Sequence, residues 1–301
     1  MSFAGNAKNE LCRKALDSKC CAVAESYGVL LYCHEFSPSE IKITTTSKDF
    51  ALRLPKLFKK AFNVSFDSFP EELSDGKMNF IISEASKIET IASAFGQEST
   101  ISLSHHVNFG VIEEDCCRLS FIRGAFLAGG TVTNPEKRYH LELSTSHQSV
   151  ARETMSILLD LGFSPKESSR GANALLYFKQ SDAIADFLTT IGASTTAMSV
   201  MTAKVEKEMR NTITRQINCD SANADKTVAA AQEQLGAIRR YASVYGLAAL
   251  PEPLKDAAFL RIANPEASLS DLSALSNPPL SKSCLSHRLK KIMSMAPEED
   301  T

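Results

Sequence analysis

The chain contains no run of 18 apolar residues, so no helix that crosses a bilayer is expected. It does not open on a basic start followed by an apolar stretch, which predicts a protein that stays in the cytoplasm. None of its 8 cysteines forms a CxxC pair and no histidine stands at zinc-finger spacing, so neither a metal nor a cofactor is expected. Cys20-Cys21 and Cys116-Cys117 are adjacent pairs, poorly placed for a regular disulfide. The cysteines therefore read as reduced, mostly buried small hydrophobes. A net charge of -2 excludes a protein that coats nucleic acid over its whole surface, so any such contact must be local. The sharpest local absence is of acid. Between Asp271 and Glu298 there is no Asp or Glu, while Lys282, Arg288, Lys290 and Lys291 all stand there.

That acid-free stretch has the pattern of two short helices. Ser268 with Asp271 three residues on is a capping-box spacing, in which each side chain satisfies an N–H at the helix start. Leu269, Leu272 and Leu275 recur at three-residue spacing and predict one apolar face. Asn277-Pro278-Pro279 stops this helix, because proline cannot continue it. Ser281 can cap a second helix with Leu285, Leu289 and Ile292 on one side. Ser283, His287 and Lys290 fall opposite, flanked by Ser286 and Lys291, and Arg288 falls near the edge. A solvated helix face usually mixes charge signs. A hairpin with a leucine seam and a wholly basic outer face predicts a helix-turn-helix that meets phosphate.

Upstream, the chain repeats itself. A run of small and apolar residues ends at Leu31, and Ile41 and Ile43 then alternate ahead of three threonines. A helix follows that Ser47 caps and Pro55 is expected to kink. Strand candidates at 64–69 and 78–82 are separated by a turn at Asp75-Gly76, and a helix precedes Phe95. The order recurs from Arg118. Leu141 and Leu143 lie 100 residues after Ile41 and Ile43, and Leu175–Phe178 lies 96 residues after Asn79–Ile82. Ile184, Phe187 and Gly192 keep the 96-residue offset from Ile88, Ile91 and Gly96. The expected fold class is α+β: a duplicated αββαββα module followed by an all-α helix-turn-helix domain. The expected divisions are 1–110 and 111–200 for the repeats, 201–220 for a charged linker, and 221–301 for a helical domain with its helix-turn-helix at 268–293. An alanine-rich helix carrying Val228, Ala231, Leu235, Ile238 and Ala242 opens that last domain, and an acidic, disordered tail is expected after Ala296. Arg210, Arg215 and Lys226 either touch DNA backbone or solvate a joining helix.

A small-residue helix followed by two hairpins and two helices, in two copies, resembles the LAGLIDADG homing-endonuclease fold. In that family an acidic residue at the end of each first helix binds the metal ions of DNA cleavage. Matching the motif's last glycine to Gly28 and Gly130 puts Tyr27 and Gly129 at the acid positions, and neither can ligate Mg²⁺ through a carboxylate. The segments RGAFLAGGTVTNPEKRYHLE, RQINCDSANADKTVAAAQEQ, LRIANPEASLSDLSAL and SKSCLSHRLKKI occur in the order seen in the WhiA family, which this chain resembles over most of its length. The resemblance implies a sequence-specific transcription regulator of cell division, chromosome segregation or sporulation genes, associated with the nucleoid, with a catalytically inactive repeat module. Its partner would be double-stranded DNA, with another regulator or RNA polymerase as a second partner, and no membrane. The DNA-binding set expected is Lys282, Ser283, Ser286, His287, Arg288, Lys290 and Lys291, with Cys284 and Ser286 standing where the family has Gly and Asn. Two other classes stay open: a scaffold for a protein or ligand with secondary DNA binding, and an active endonuclease.

Overall fold

Ser18 begins the element on which the first repeat is built. Its hydroxyl accepts from the N–H of Cys21, starting helix α2 (Lys19–Leu31). In the computed structural model, which describes residues 2–70, 72–73, 76–96 and 105–297, α2 lies against α5 (Asp115–Gly129), the corresponding helix of the second repeat. The two approach through glycine. A Cβ added at Gly28 would sit 2.1 Å from the carbonyl oxygen of Phe121 and 2.8 Å from the N of Ala125. One added at Gly124 would sit 2.0 Å from the carbonyl oxygen of Glu25 and 3.0 Å from the N of Val29. All three pairings carry the same 96-residue offset: Gly28 with Gly124, Glu25 with Phe121, and Val29 with Ala125. The contact is therefore reciprocal, and the repeats are related by a pseudo-two-fold axis that passes between the helices.

Around this pair the elements run α1 (Phe3–Cys12), α2, β1 (Glu35–Phe36), β2 (Ile41–Thr45), α3 (Lys48–Phe62), β3 (Met78–Ile82) and α4 (Ala85–Ala94). After α5 come β4 (Gly130–Val132), β5 (Leu141–Thr145), α6 (Gln148–Asp160), β6 (Lys166–Arg170), β7 (Asn173–Phe178) and α7 (Ser181–Ile191). The first sheet has the order β1-β2-β3 and the second β4-β5-β7-β6, antiparallel throughout. Phe36 pairs with Ile41 as Val132 pairs with Leu141, and Ile41 with Ile82 as Leu141 with Phe178. The duplicated α+β unit is present. The N-terminal residues, polar in sequence, form α1 and bury Ala7 and Leu11.

One expected element differs. Residues 64–69 do not form a strand. Phe66 turns inward against Phe58 and Phe80, and the backbone meets β3 at Ile81 through an isolated bridge from Ser68 and a hydrogen bond from the N–H of Asp67. The Asp67 carboxylate accepts from the N–H groups of Ser83 and Glu84 at 2.7 and 2.9 Å, at the start of α4. In the second repeat the same place is a full edge strand, β6, every residue of which is exposed. Pro55, where a kink is expected, lies inside helix α3. The expected turn at Asp75-Gly76 has Asp75 outside the described residues, as is the tail at 298–301.

Beside the glycine crossing lies a buried ionic group. Glu25, 1% exposed, accepts from Nε and Nη2 of Arg53 at 2.6 and 2.9 Å and lies 3.4 Å from Nη1 of Arg123. Arg53 also donates to the carbonyl oxygens of Cys12 and Lys14, and Arg123 to that of Ile191. Burial works against the Arg53 charge, but the hydrogen bonds and charge of Glu25 hold its pKa above the ordinary value. One carboxylate thus ties α2, α3 and α5 together at the pseudo-two-fold.

Helix α8 (Ser194–Tyr245) is 52 residues long and continuous. The segment 201–220, expected as a separate linker, is helix throughout, because it holds no proline or glycine to interrupt it. The chain divides into two compact units, 1–208 and 209–301, the division falling within 201–220.

Gly28→Ala and Gly124→Ala are each expected to destabilise the first unit by about 3 kcal/mol or more, because the obstacle is backbone. Gly236→Ala in α8, where a Cβ meets only Nη1 of Arg240 at 3.5 Å, should stabilise by about 0.5–1 kcal/mol. Urea unfolding midpoints compare the two, and similar small effects at both would rule out the close crossing. Glu25→Ala strands two buried guanidinium groups and should cost about 3–5 kcal/mol in the same measurement.

Candidate nucleic-acid interface

The second unit is built on a small seam. Ser281 accepts from the N–H of Cys284 and starts α11 (Lys282–Met295). Its Leu285, Leu289 and Ile292 are buried with Leu272 of α10 (Leu269–Leu275) and Leu254, Ala257 and Ala258 of α9 (Glu252–Ala263). Burying each of these leucines and the isoleucine contributes about 1.5–3 kcal/mol. The end of α8 closes the cluster with Ile238 and Tyr241. Of the apolar face expected on α8, Ala231 and Ile238 are buried, whereas Val228 is exposed.

Local polar contacts fix the turn. Ser268 and Asp271 form the expected capping box at the start of α10. Ser273 donates through its hydroxyl to the carbonyl oxygen of Leu280, and the N–H of Leu280 donates to Ser276 at 2.7 Å. Buried Arg261 donates from Nη1 to the carbonyl oxygen of Ala267 at 2.6 Å, holding the α9–α10 connection. Burial without a carboxylate partner lowers the pKa of this guanidinium. Leu275, expected on the apolar face, is 57% exposed. It is the last residue of α10, and Ser276 turns the chain away in extended conformation.

Lys282, Ser283, His287, Lys290 and Lys291 project from α11 and are exposed, while Ser286 is half-buried. Arg288 differs from the other cations. It is half-buried and donates from Nη1 to the carbonyl oxygen of Pro253 at 3.3 Å, so part of its guanidinium already serves α9. Arg210, Arg215 and Lys226 are exposed along α8.

In the repeat module, the far ends of α2 and α5 are where a cleavage site would need carboxylates. Gly129 has no room for a side chain: a Cβ would lie 2.4 Å from the carbonyl oxygen of Ser144. The symmetry corrects its partner. The 96-residue offset that holds through α2, α5 and the first strands makes Cys33, not Tyr27, the equivalent of Gly129. The sequence match anchored on Gly28, which is the crossing glycine rather than the motif's last one. Tyr27 lies inside the core, stacked on Phe95 at 4.2 Å, donating to the carbonyl oxygen of His106 and accepting from the N–H of Asn108. The carboxylate of Glu25 is engaged by its arginines, and Glu113 is exposed in the segment before α5. Helix α6 brings a carboxylate to the His105-His106 segment. Glu153 accepts from the N–H of Val107 and lies 2.7 Å from Nδ1 of His106.

The cysteines are also arranged otherwise than expected. Cys20, Cys116 and Cys219 are exposed and only Cys117 is fully buried. The Sγ atoms of Cys20, Cys21, Cys116 and Cys117 lie within 4.8 Å of one another. Among the described residues, no helix is long and apolar enough to cross a membrane.

Residues 118–210 match the family model for the WhiA LAGLIDADG-like domain, and residues 213–296 that for the WhiA C-terminal HTH domain. The chain is 34% identical over 311 residues to the probable cell division protein WhiA of Clostridium novyi, covering 99% of this chain and 98% of that one. It is 31% identical over 312 residues to the protein of that name from Alkaliphilus metalliredigens, covering 99% and 98%. Among solved structures, full-length DUF199/WhiA from Thermatoga maritima superposes with a TM-score of 0.60 at 24% identity, over 98% of each chain. The N-terminal LAGLIDADG domain of DUF199/WhiA gives 0.50 at 21%, over 64% of this chain and 90% of that one. Those two likenesses carry the fold, including the LAGLIDADG-like module and the helical C-terminal region. The full-length identity to the curated relatives carries the conclusion: this chain belongs to the WhiA family.

Proposed function

We propose that the chain is a sequence-specific DNA-binding transcription regulator of cell division, chromosome segregation or sporulation genes, acting at the nucleoid. The observation that carries the reading is the outer face of α11. Five exposed polar and cationic residues stand on a helix whose opposite side is locked by Leu285, Leu289 and Ile292, with no acid on it. A rigid helix of this kind fits the major groove. The name printed for the relatives, probable cell division protein, supports the choice of process.

In this reading Lys282, Ser283 and His287 meet base edges from the N-terminal half of α11, and Ser286 lines the groove between them. Lys290 and Lys291 meet phosphate. Arg288 approaches the backbone with the donors that Pro253 leaves over. The repeat module does not cleave. Phosphodiester hydrolysis of this kind needs carboxylates to hold metal ions, and Gly129 and Cys33 at the paired helix ends offer none.

Lys291→Ala should weaken binding to all duplexes alike and lower the slope of log K against log salt by about 0.9. His287→Ala and Ser283→Ala should instead change which sequences are preferred, by about 1–3 kcal/mol at an affected base pair. Binding to a randomised duplex pool at several salt concentrations measures both effects. A Lys291→Ala chain with altered sequence preference and an unchanged salt slope would reject the assignment. Incubated with supercoiled DNA and Mg²⁺, the chain should leave the DNA intact, and magnesium-dependent nicking would restore the nuclease reading.

A further inference from the structure

Cys20 and Cys21 are the second and third residues of α2, and Cys116 and Cys117 are the second and third of α5. The pairs lie 96 residues apart, the offset that relates Gly28 to Gly124. They are thus the same position in the two repeats, and the in-register crossing brings both to one end of the pseudo-two-fold axis. The result is four sulfurs within 4.8 Å of one another, with Cys116 Sγ and Cys117 Sγ 4.0 Å apart. Cys117 is buried, Cys21 half-buried, and Cys20 and Cys116 open to solvent.

We propose that these four cysteines form a tetrahedral thiolate site for a single Zn²⁺ ion, which clamps the two repeats together at the N-terminal ends of α2 and α5. Zinc–sulfur bonds of about 2.3 Å in a tetrahedron put the sulfurs about 3.8 Å apart, so closing the site takes small rotations of side chains already in place. Four thiolates suit a soft, borderline ion and a closed structural site. A single ion fits the spacing better than an iron–sulfur cluster, whose metals would hold the thiolates further apart. Both pairs lie in first helical turns, where free N–H groups and the helix dipole favour the negative charge left on a four-thiolate zinc centre. Each thiol gives up its proton as its metal–sulfur bond forms, and no electron is transferred. The exposed Cys20 and Cys116 form the ion's way in.

The test uses the full chain, reduced and stripped of metal, titrated with Co²⁺ as the spectroscopic probe. The expected result is the visible absorption of tetrahedral cobalt–thiolate, saturating at one ion per chain and displaced by Zn²⁺. Cys20→Ser and Cys116→Ser, at exposed positions and checked for an unchanged far-UV spectrum, should each weaken binding by about 100-fold or more. Cys219→Ser should bind as the parent does. In the unsubstituted chain, Zn²⁺ should also slow alkylation of Cys20 and Cys116, a measurement that needs no variant. A reduced, folded chain that shows no cobalt–thiolate absorption overturns the proposal. So does Cys20→Ser or Cys116→Ser binding as tightly as the parent, or alkylation at an unchanged rate in Zn²⁺.

Discussion

The approach of α2 to α5 depends on side chains that do not exist. Gly28 and Gly124 let the backbones of α2 and α5 meet where any Cβ would collide with a carbonyl oxygen. Much of the module's geometry follows from that approach. It sets the helices in register, so that Gly28 meets on α5 the backbone positions equivalent to those Gly124 meets on α2. The Glu25 carboxylate can then reach Arg53 in its own repeat and Arg123 in the next. The same register brings the two adjacent cysteine pairs together at one end and puts Cys33 and Gly129 at the other.

That register also explains what could and could not be read from the sequence. The duplication was visible because apolar positions in β2, β3, α4 and their counterparts keep their spacing under selection for one core. The edge strand β6 was not, because Lys166–Arg170 is wholly exposed and carries no apolar alternation. Residues 64–69 read as a strand because Val64 and Phe66 are buried, but the inward turn of an aromatic ring gives the same signal as a pleat. The cysteine cluster was invisible for a different reason. Metal motifs are recognised when ligands lie close along the chain, whereas here closeness exists only across the helix crossing. The acid position in the first repeat was misplaced at Tyr27 because a single glycine served as anchor, and glycine occurs both at the crossing and at the helix end.

The helix-turn-helix was more readable because its determinants are local. Two serine caps, a proline pair and a leucine period each act within one or two turns, and each occurs in the structure. Sequence could not tell how the edge residues divide between inside and outside. Leu275 and Arg288 both lie near the border of the seam. The leucine ends outside because its helix stops there, and the arginine turns back because the Pro253 carbonyl is within reach. Periodicity assigns a face by angle alone, while the neighbour actually met decides such borderline positions.

The two units differ in symmetry. A pseudo-two-fold module suits a ligand that is itself nearly symmetric, as a duplex is, but its paired helix ends offer a glycine and a cysteine where cleavage would need two acids. The second unit has no such symmetry, and α11 carries Lys282, Lys290 and Lys291 outward with no acid on the helix. Sequence-specific recognition needs a few side chains held in fixed register against base edges. The leucine seam of α11 supplies that rigidity more cheaply than a large interface would, since three buried side chains fix the direction of every exposed one.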